Sequence, residues 1–134
     1  MLKIKDMYQN LKRDDEIIFQ VKTKKMFDKI IQEMKLIFDK WDFIFIENYL
    51  NYKTTYFIVG KWRDGMFKIK TSKKNDFEHE LYILADYKES PINEKKHLKQ
   101  INDLINIMDK YRIFFVKKKL TFDNEFNLIE KVDD

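Results

Sequence analysis

Thr54-Thr55-Tyr56-Phe57-Ile58-Val59-Gly60-Lys61-Trp62-Arg63-Asp64-Gly65-Met66-Phe67-Lys68-Ile69-Lys70-Thr71-Ser72 is the stretch that decides the fold. Its first part, residues 54–62, is dense in β-branched and aromatic side chains, which suit a pleated, half-buried surface. Arg63-Asp64-Gly65 then interrupts it, and an Asp-Gly pair supplies the positive φ that a tight hairpin turn requires. Residues 66–72 alternate: Met66, Lys68, Lys70 and Ser72 fall on one side, Phe67, Ile69 and Thr71 on the other. That period of two is the signature of a strand with one buried face. The stretch is therefore read as two antiparallel strands joined by a turn.

Working outward, Lys73-Lys74-Asn75-Asp76 forms a second turn, and residues 77–87 alternate again. Phe77, His79, Leu81, Ile83 and Ala85 oppose Glu78, Glu80, Tyr82, Leu84 and Asp86. Residues 43–50, aromatic and β-branched, read as a strand before the hairpin, which completes a four-stranded antiparallel meander. Ahead of it, Phe27, Ile30, Ile31, Met34, Phe38 and Trp41 make one apolar stripe at helical spacing over about 24–41, with Thr23 as N-cap. A second helix over 91–110 opens with Ser90-Pro91, a cap followed by a proline at the first helical position. Its inward stripe is Leu98, Ile101, Leu104, Ile105 and Met108. A further strand is expected over 111–117, then a short hairpin about Asp123-Asn124. At the N-terminus Ile4, Met7, Tyr8 and Leu11 have helical spacing. Ile17, Phe19 and Val21 alternate as a strand over 16–22, with a continuous helix as the alternative. The expected class is α+β, a mainly antiparallel sheet packed by two helices. One domain over 1–134 is expected, with 1–22 a loosely docked N-terminal element.

The composition is skewed. There are 24 lysines against three arginines, 17 isoleucines and 12 phenylalanines, but one alanine, two glycines, one proline and no cysteine. These are the preferences of an AT-rich gene, so the lysine content does not by itself mark a nucleic-acid binder. The formal net charge is only +4, with both signs interleaved along the chain, which describes a mixed solvated surface. At 44% hydrophobic and 16% aromatic residues, the chain has the makings of a packed core. No apolar run approaches the ~20 residues that span a bilayer, and Met1–Asp6 has no apolar core of a signal peptide. No disulfide can form. The expected setting is the cytoplasm of a low-GC bacterium or of its infected cell, without a membrane.

Catalytic constellations are sparse. Only two histidines occur; alternation sends His79 to the face opposite Glu78 and Glu80, and His97 lies on the second helix without placeable partners. No zinc-type spacing, nucleophile elbow or glycine-rich phosphate loop is present, and no metal or cofactor is expected. Ser90 is accounted for as a helix cap. One arrangement points elsewhere. The apolar strand 81–85 ends in Asp86-Tyr87-Lys88, and Asp64 should face Asp86 across the hairpin. Two carboxylates and a lysine at the end of such strands resemble the PD-(D/E)xK nucleases, as does the order α-β-β-β-α-β. The resemblance implies Asp64 and Asp86 holding a divalent metal and Lys88 orienting water for phosphodiester cleavage. Arg63, not proline, precedes Asp64.

Binding has the broader basis. Lys61, Lys68, Lys70, Lys73 and Lys74 lie on or beside one predicted sheet face, interleaved with Tyr56, Trp62 and Tyr82. Lysines neutralise phosphates and aromatic rings stack on bases, so a single-stranded nucleic-acid binder is one expectation. Exposed tyrosine and tryptophan also anchor protein interfaces, and the near absence of arginine weighs against base recognition. The expected function is accordingly that of a non-enzymatic, protein-binding accessory protein of a phage or mobile element. It would occlude a host protein or ribonucleoprotein machine sterically, in the manner of anti-CRISPR inhibitors.

Overall fold

The computed structural model describes residues 3–72, 78–86, 88, 90–111, 114–120 and 125–131, with residues 72, 78, 114–120 and 125–131 described through the backbone alone. Ten elements follow one another: α1 (Ile4–Gln9), β1 (Glu16–Val21), α2 (Lys24–Met34), α3 (Lys40–Glu47), β2 (Thr55–Gly60), β3 (Gly65–Ser72), β4 (Glu78–Ala85), α4 (Pro91–Lys110), β5 (Phe114–Leu120) and β6 (Glu125–Lys131). The strands form one six-stranded sheet in the order β4-β3-β2-β1-β5-β6, each neighbouring pair antiparallel. The class is α+β, a mainly antiparallel sheet packed by helices.

Alternation decides which face the helices cover. Ile17, Phe19 and Val21 of β1, Phe57 and Val59 of β2, Phe67 and Ile69 of β3, and Ile83 and Ala85 of β4 are buried. They form one core cluster with Ile4 of α1, Phe27 and Ile30 of α2, Phe43 and Ile46 of α3, and Ile101 and Leu104 of α4. Phe19 and Phe57 stack with centroids 5.6 Å apart, and Phe67 meets both, at 6.5 Å and 6.4 Å. Because all four helices contribute to that one cluster, the opposite sheet face carries no layer of described helices.

The central hairpin stands as the sequence indicates, with Phe57 opposite Ile69 and Val59 opposite Phe67. Its first strand is trimmed to Thr55–Gly60, and its second starts one residue earlier, at Gly65–Ser72. The strand read over 16–22 is β1, and it lies in the middle of the sheet. With Ile4 and Ile17 fully buried, residues 4–21 are part of the core rather than a loosely docked element.

Three expectations are corrected. The helix over 24–41 is two helices, broken after Met34, where the Leu36 and Ile37 amides bond to the carbonyls three residues back, Glu33 and Met34. Asp39 then caps a new helix by accepting from the Trp41 amide at 2.9 Å. As a result Trp41 does not join the buried stripe but stands 78% exposed. Residues 43–50 are not a strand: Phe43 and Ile46, three apart, bury one face of α3, so packing overrides the β-propensity of Phe43-Ile44-Phe45-Ile46. The strand expected at 111–117 lies instead at Phe114–Leu120 and pairs with β1. The hairpin expected in the final segment is present as the antiparallel pair β5 and β6, with strands of seven residues each. Asp123 and Asn124, where that hairpin's turn was placed, lie outside the described residues.

Candidate binding surface

The opposite sheet face is built by cross-strand rows. Ile18, Ile58, Lys68 and Tyr82 are successive partners across β1, β2, β3 and β4; Tyr56 lies opposite Lys70, which lies opposite Glu80. Lys117 and Lys119 of β5 pair in register with Ile18 and Glu16. Tyr56, Trp62 and Tyr82 are each exposed on or beside this face, Tyr82 at 54%. Ile58 and Met66 lie beneath them, nearly buried. A shallow depression of about 240 Å³ opens between Glu16, Trp62, Met66, Lys68, Glu80 and Tyr82.

The charges on this face are mixed and mutually engaged. Glu80 lies 3.8 Å from Lys68 and 3.9 Å from Lys70, so one carboxylate sits between two ammonium groups. The pairs are partly exposed and each is worth only a fraction of a kcal/mol, but they hold both lysines over the sheet.

The structure thus brings Tyr56, Trp62, Lys68, Lys70 and Tyr82 together. It does not bring Lys61 to them. The Lys61 ammonium lies 4.0 Å from the centroid of the Tyr8 ring, a cation–π contact at the end of the sheet, and burial pulls its pKa down. Lys73 and Lys74 lie outside the described residues.

The same end of the sheet holds Asp64, Asp86 and Lys88. Gly65 pairs with Ala85, which sets Asp64 and Asp86 one position further out, as the hairpin register implies. The Asp64 amide donates to the Ala85 carbonyl at 3.0 Å. Asp86 is 5% exposed; it accepts from the Lys88 amide at 2.9 Å and from the Arg63 guanidinium. That amide first, and Arg63 with it, hold its pKa below the ordinary carboxylate value. Lys88 is exposed. Arg63 reaches Asp86 from a left-handed backbone position, φ 55°, and its guanidinium stands 5.0 Å from the centroid of the Trp62 ring. Among the described residues, no group of three or more His, Asp or Glu side chains is placed to hold a metal ion.

A depressed carboxylate pKa has a fixed sign in the stability profile. Asp86 stabilises the fold fully above its unfolded value near ~4, and that contribution fades as pH falls through the lower folded value. Asp86→Asn is therefore expected to flatten the acid limb of a melting-temperature–pH profile. An unchanged limb would show that Asp86 titrates alike folded and unfolded.

The histidines fall apart as the alternation implies. His79 stacks on Tyr49 at 3.7 Å between centroids, with Phe45 edge-on at 6.2 Å. His97 lines a separate groove of about 360 Å³ between β4 and the helices, with Asp39, Asp42 and Lys96. Its Nδ1 is buried without a hydrogen-bond partner among the described residues. The sequence pattern placed Tyr8 on the N-terminal helix but did not indicate its contact with Lys61, and it did not indicate the α3 surface. Asp39 followed by Phe43 and Ile46, a cap and an i, i+3 apolar pair, was the signal for α3.

No family profile, curated protein or solved structure matches this chain. Fold and surface together define an α+β protein with an aromatic–lysine sheet face that no described helix covers. Among the described residues no helix is long and apolar enough to cross a membrane.

Proposed function

We propose that this chain is a non-enzymatic binding protein that docks a partner protein on its aromatic–lysine sheet face and acts by occupying the partner's surface. The observation that carries this is the pair Trp62 and Tyr82, exposed around a shallow depression, with Tyr56 exposed further along the same sheet face. Rigid aromatic side chains lose little entropy on docking and supply most of the anchoring energy of protein interfaces. The charge pattern favours protein over nucleic acid. A phosphate backbone binding Lys68 and Lys70 would meet Glu80 between them, whereas a protein rim supplies both signs. Steric inhibition of a host defence or nucleic-acid machine, in the anti-CRISPR manner, is the role that fits such a surface on a small AT-biased chain.

The test is affinity capture from a low-GC bacterial host, with and without nuclease, using the wild-type chain and a Trp62→Ala/Tyr82→Ala variant. The expected result is a defined protein retained after nuclease treatment and weakened on the order of 100-fold by the two substitutions. Capture that vanishes with nuclease, or that the variant leaves unchanged, would overturn the proposal.

A further inference from the structure

Helix α3 has two apolar faces. Phe43 and Ile46 are buried in the core, but Trp41, Ile44 and Phe45, at i, i+3 and i+4, form a second stripe on the solvent side. Trp41 is 78%, Phe45 66% and Ile44 46% exposed; Leu36, in the turn before α3, is 87% exposed. Three large apolar side chains thus share one exposed helix face, with a fourth in the turn before it. Large contiguous apolar patches on a soluble chain mark an interaction site. The stripe lies beside β4, with the Phe45 ring against His79, and β4 is an edge of the described sheet.

We infer that this surface is covered by a second copy of the chain, the two α3 helices packing antiparallel across a two-fold axis. Three features favour a copy over another occupant. First, a two-fold contact requires a self-complementary patch, and a short apolar stripe centred near Ile44 pairs with itself. Second, the charges match. Lys40 and Glu47, seven residues apart, share one flank of α3 at opposite ends, so an antiparallel copy sets each Lys40 beside the other's Glu47. Lys35 already holds Glu47 on that flank, which fixes the carboxylate in place. Asp42 lies on the other flank, turned to the groove beside β4 with Lys96 and His97. Third, Trp41, Ile44 and Phe45 stand exposed together on one helix face, the large apolar anchors that the centre of an interface buries. A membrane surface fits poorly, because Asp39, Asp42 and Glu47 place acidic groups around the stripe where anionic lipid selects lysine and arginine.

The experiment is analytical ultracentrifugation of the full chain between about 1 µM and about 1 mM. The expected result is a concentration-dependent monomer–dimer equilibrium. Trp41→Lys/Phe45→Lys changes only exposed positions, checked by an unchanged circular dichroism spectrum, and should raise the dimer dissociation constant at least ~100-fold. Lys40→Glu should weaken the dimer, and Lys35→Glu/Lys40→Glu/Glu47→Lys, which keeps the 35–47 pair with its signs reversed, should restore it. A chain monomeric throughout the range overturns the inference, whatever else the stripe is then found to bind. So does a dimer that Trp41→Lys/Phe45→Lys leaves intact, or one that the charge exchange fails to restore.

Discussion

Phe57→Ala is expected to cost about 3–5 kcal/mol of folding stability, the largest effect of any single side-chain truncation considered in this fold. Phe57 is fully buried at the middle of β2, with Phe19 stacked on one side at 5.6 Å, Phe27 at 6.0 Å and Phe67 at 6.4 Å. Its ring joins three strands to α2, so truncation removes apolar contact from four elements at once and leaves a cavity that rigid strands cannot close. Natural domains have only about 5–15 kcal/mol of stability, so the loss is a large fraction of the whole. Urea denaturation should show a lowered midpoint at an unchanged slope if the native fold persists. Phe57→Leu, which keeps much of the volume, should lose less than half as much. Equal losses for the two would mean that the aromatic contacts, and not the filled volume, hold this part of the core.

The central hairpin and β4 were legible because one rule governs both their local structure and their burial. Alternation assigned Phe67, Ile69, Ile83 and Ala85 to the core and Lys68, Lys70 and Tyr82 to the opposite face. A period of two remains visible even when a genome restricts the choice of apolar residues to isoleucine and phenylalanine. The same restriction hid α3. Phe43-Ile44-Phe45-Ile46 is a run with no period, since two of its residues face the core and two face solvent. A helix with two apolar faces and a buried strand give the same string. Only Asp39, capping from outside the run, separates them.

The binding surface was legible to the extent that it depends on alternation. Tyr56, Lys68, Lys70 and Tyr82 occupy a strand face and could be grouped by parity. Lys61 could not, because it follows the last residue of β2, Gly60, and turns to the Tyr8 ring of a helix more than 50 residues earlier in the chain. No local pattern records such a contact. Glu80 between Lys68 and Lys70 depends on the β3–β4 register, and it turns a lysine-rich face into a mixed one.

Gly65 is the position where a single methyl group should do most damage. The Asp-Gly pair looked like ordinary turn chemistry, and Gly65 does adopt φ 159°, but its neighbour is the stronger constraint. A Cβ at residue 65 would stand 2.5 Å from the Tyr8 hydroxyl oxygen, inside any permissible contact, with Ile101 and Leu98 next at 3.5 and 3.7 Å. Tyr8 is itself buried, and burial first, then the charge of Asp64, raises its pKa. Its ring therefore has little room to withdraw. Gly65→Ala is expected to cost about 2–4 kcal/mol, from the clash together with the unfavourable backbone. Tyr8→Phe alone should change stability by about 1 kcal/mol or less, since it deletes one oxygen and keeps the ring under Lys61. In the double variant the clash is gone and only the backbone strain remains. The two substitutions should then couple favourably by about 1–2 kcal/mol, measured as a double-mutant cycle in urea. Additivity within ~0.5 kcal/mol would place the cost of Gly65→Ala in the backbone conformation alone, and Tyr8 would not be the reason that glycine stands at this end of the sheet.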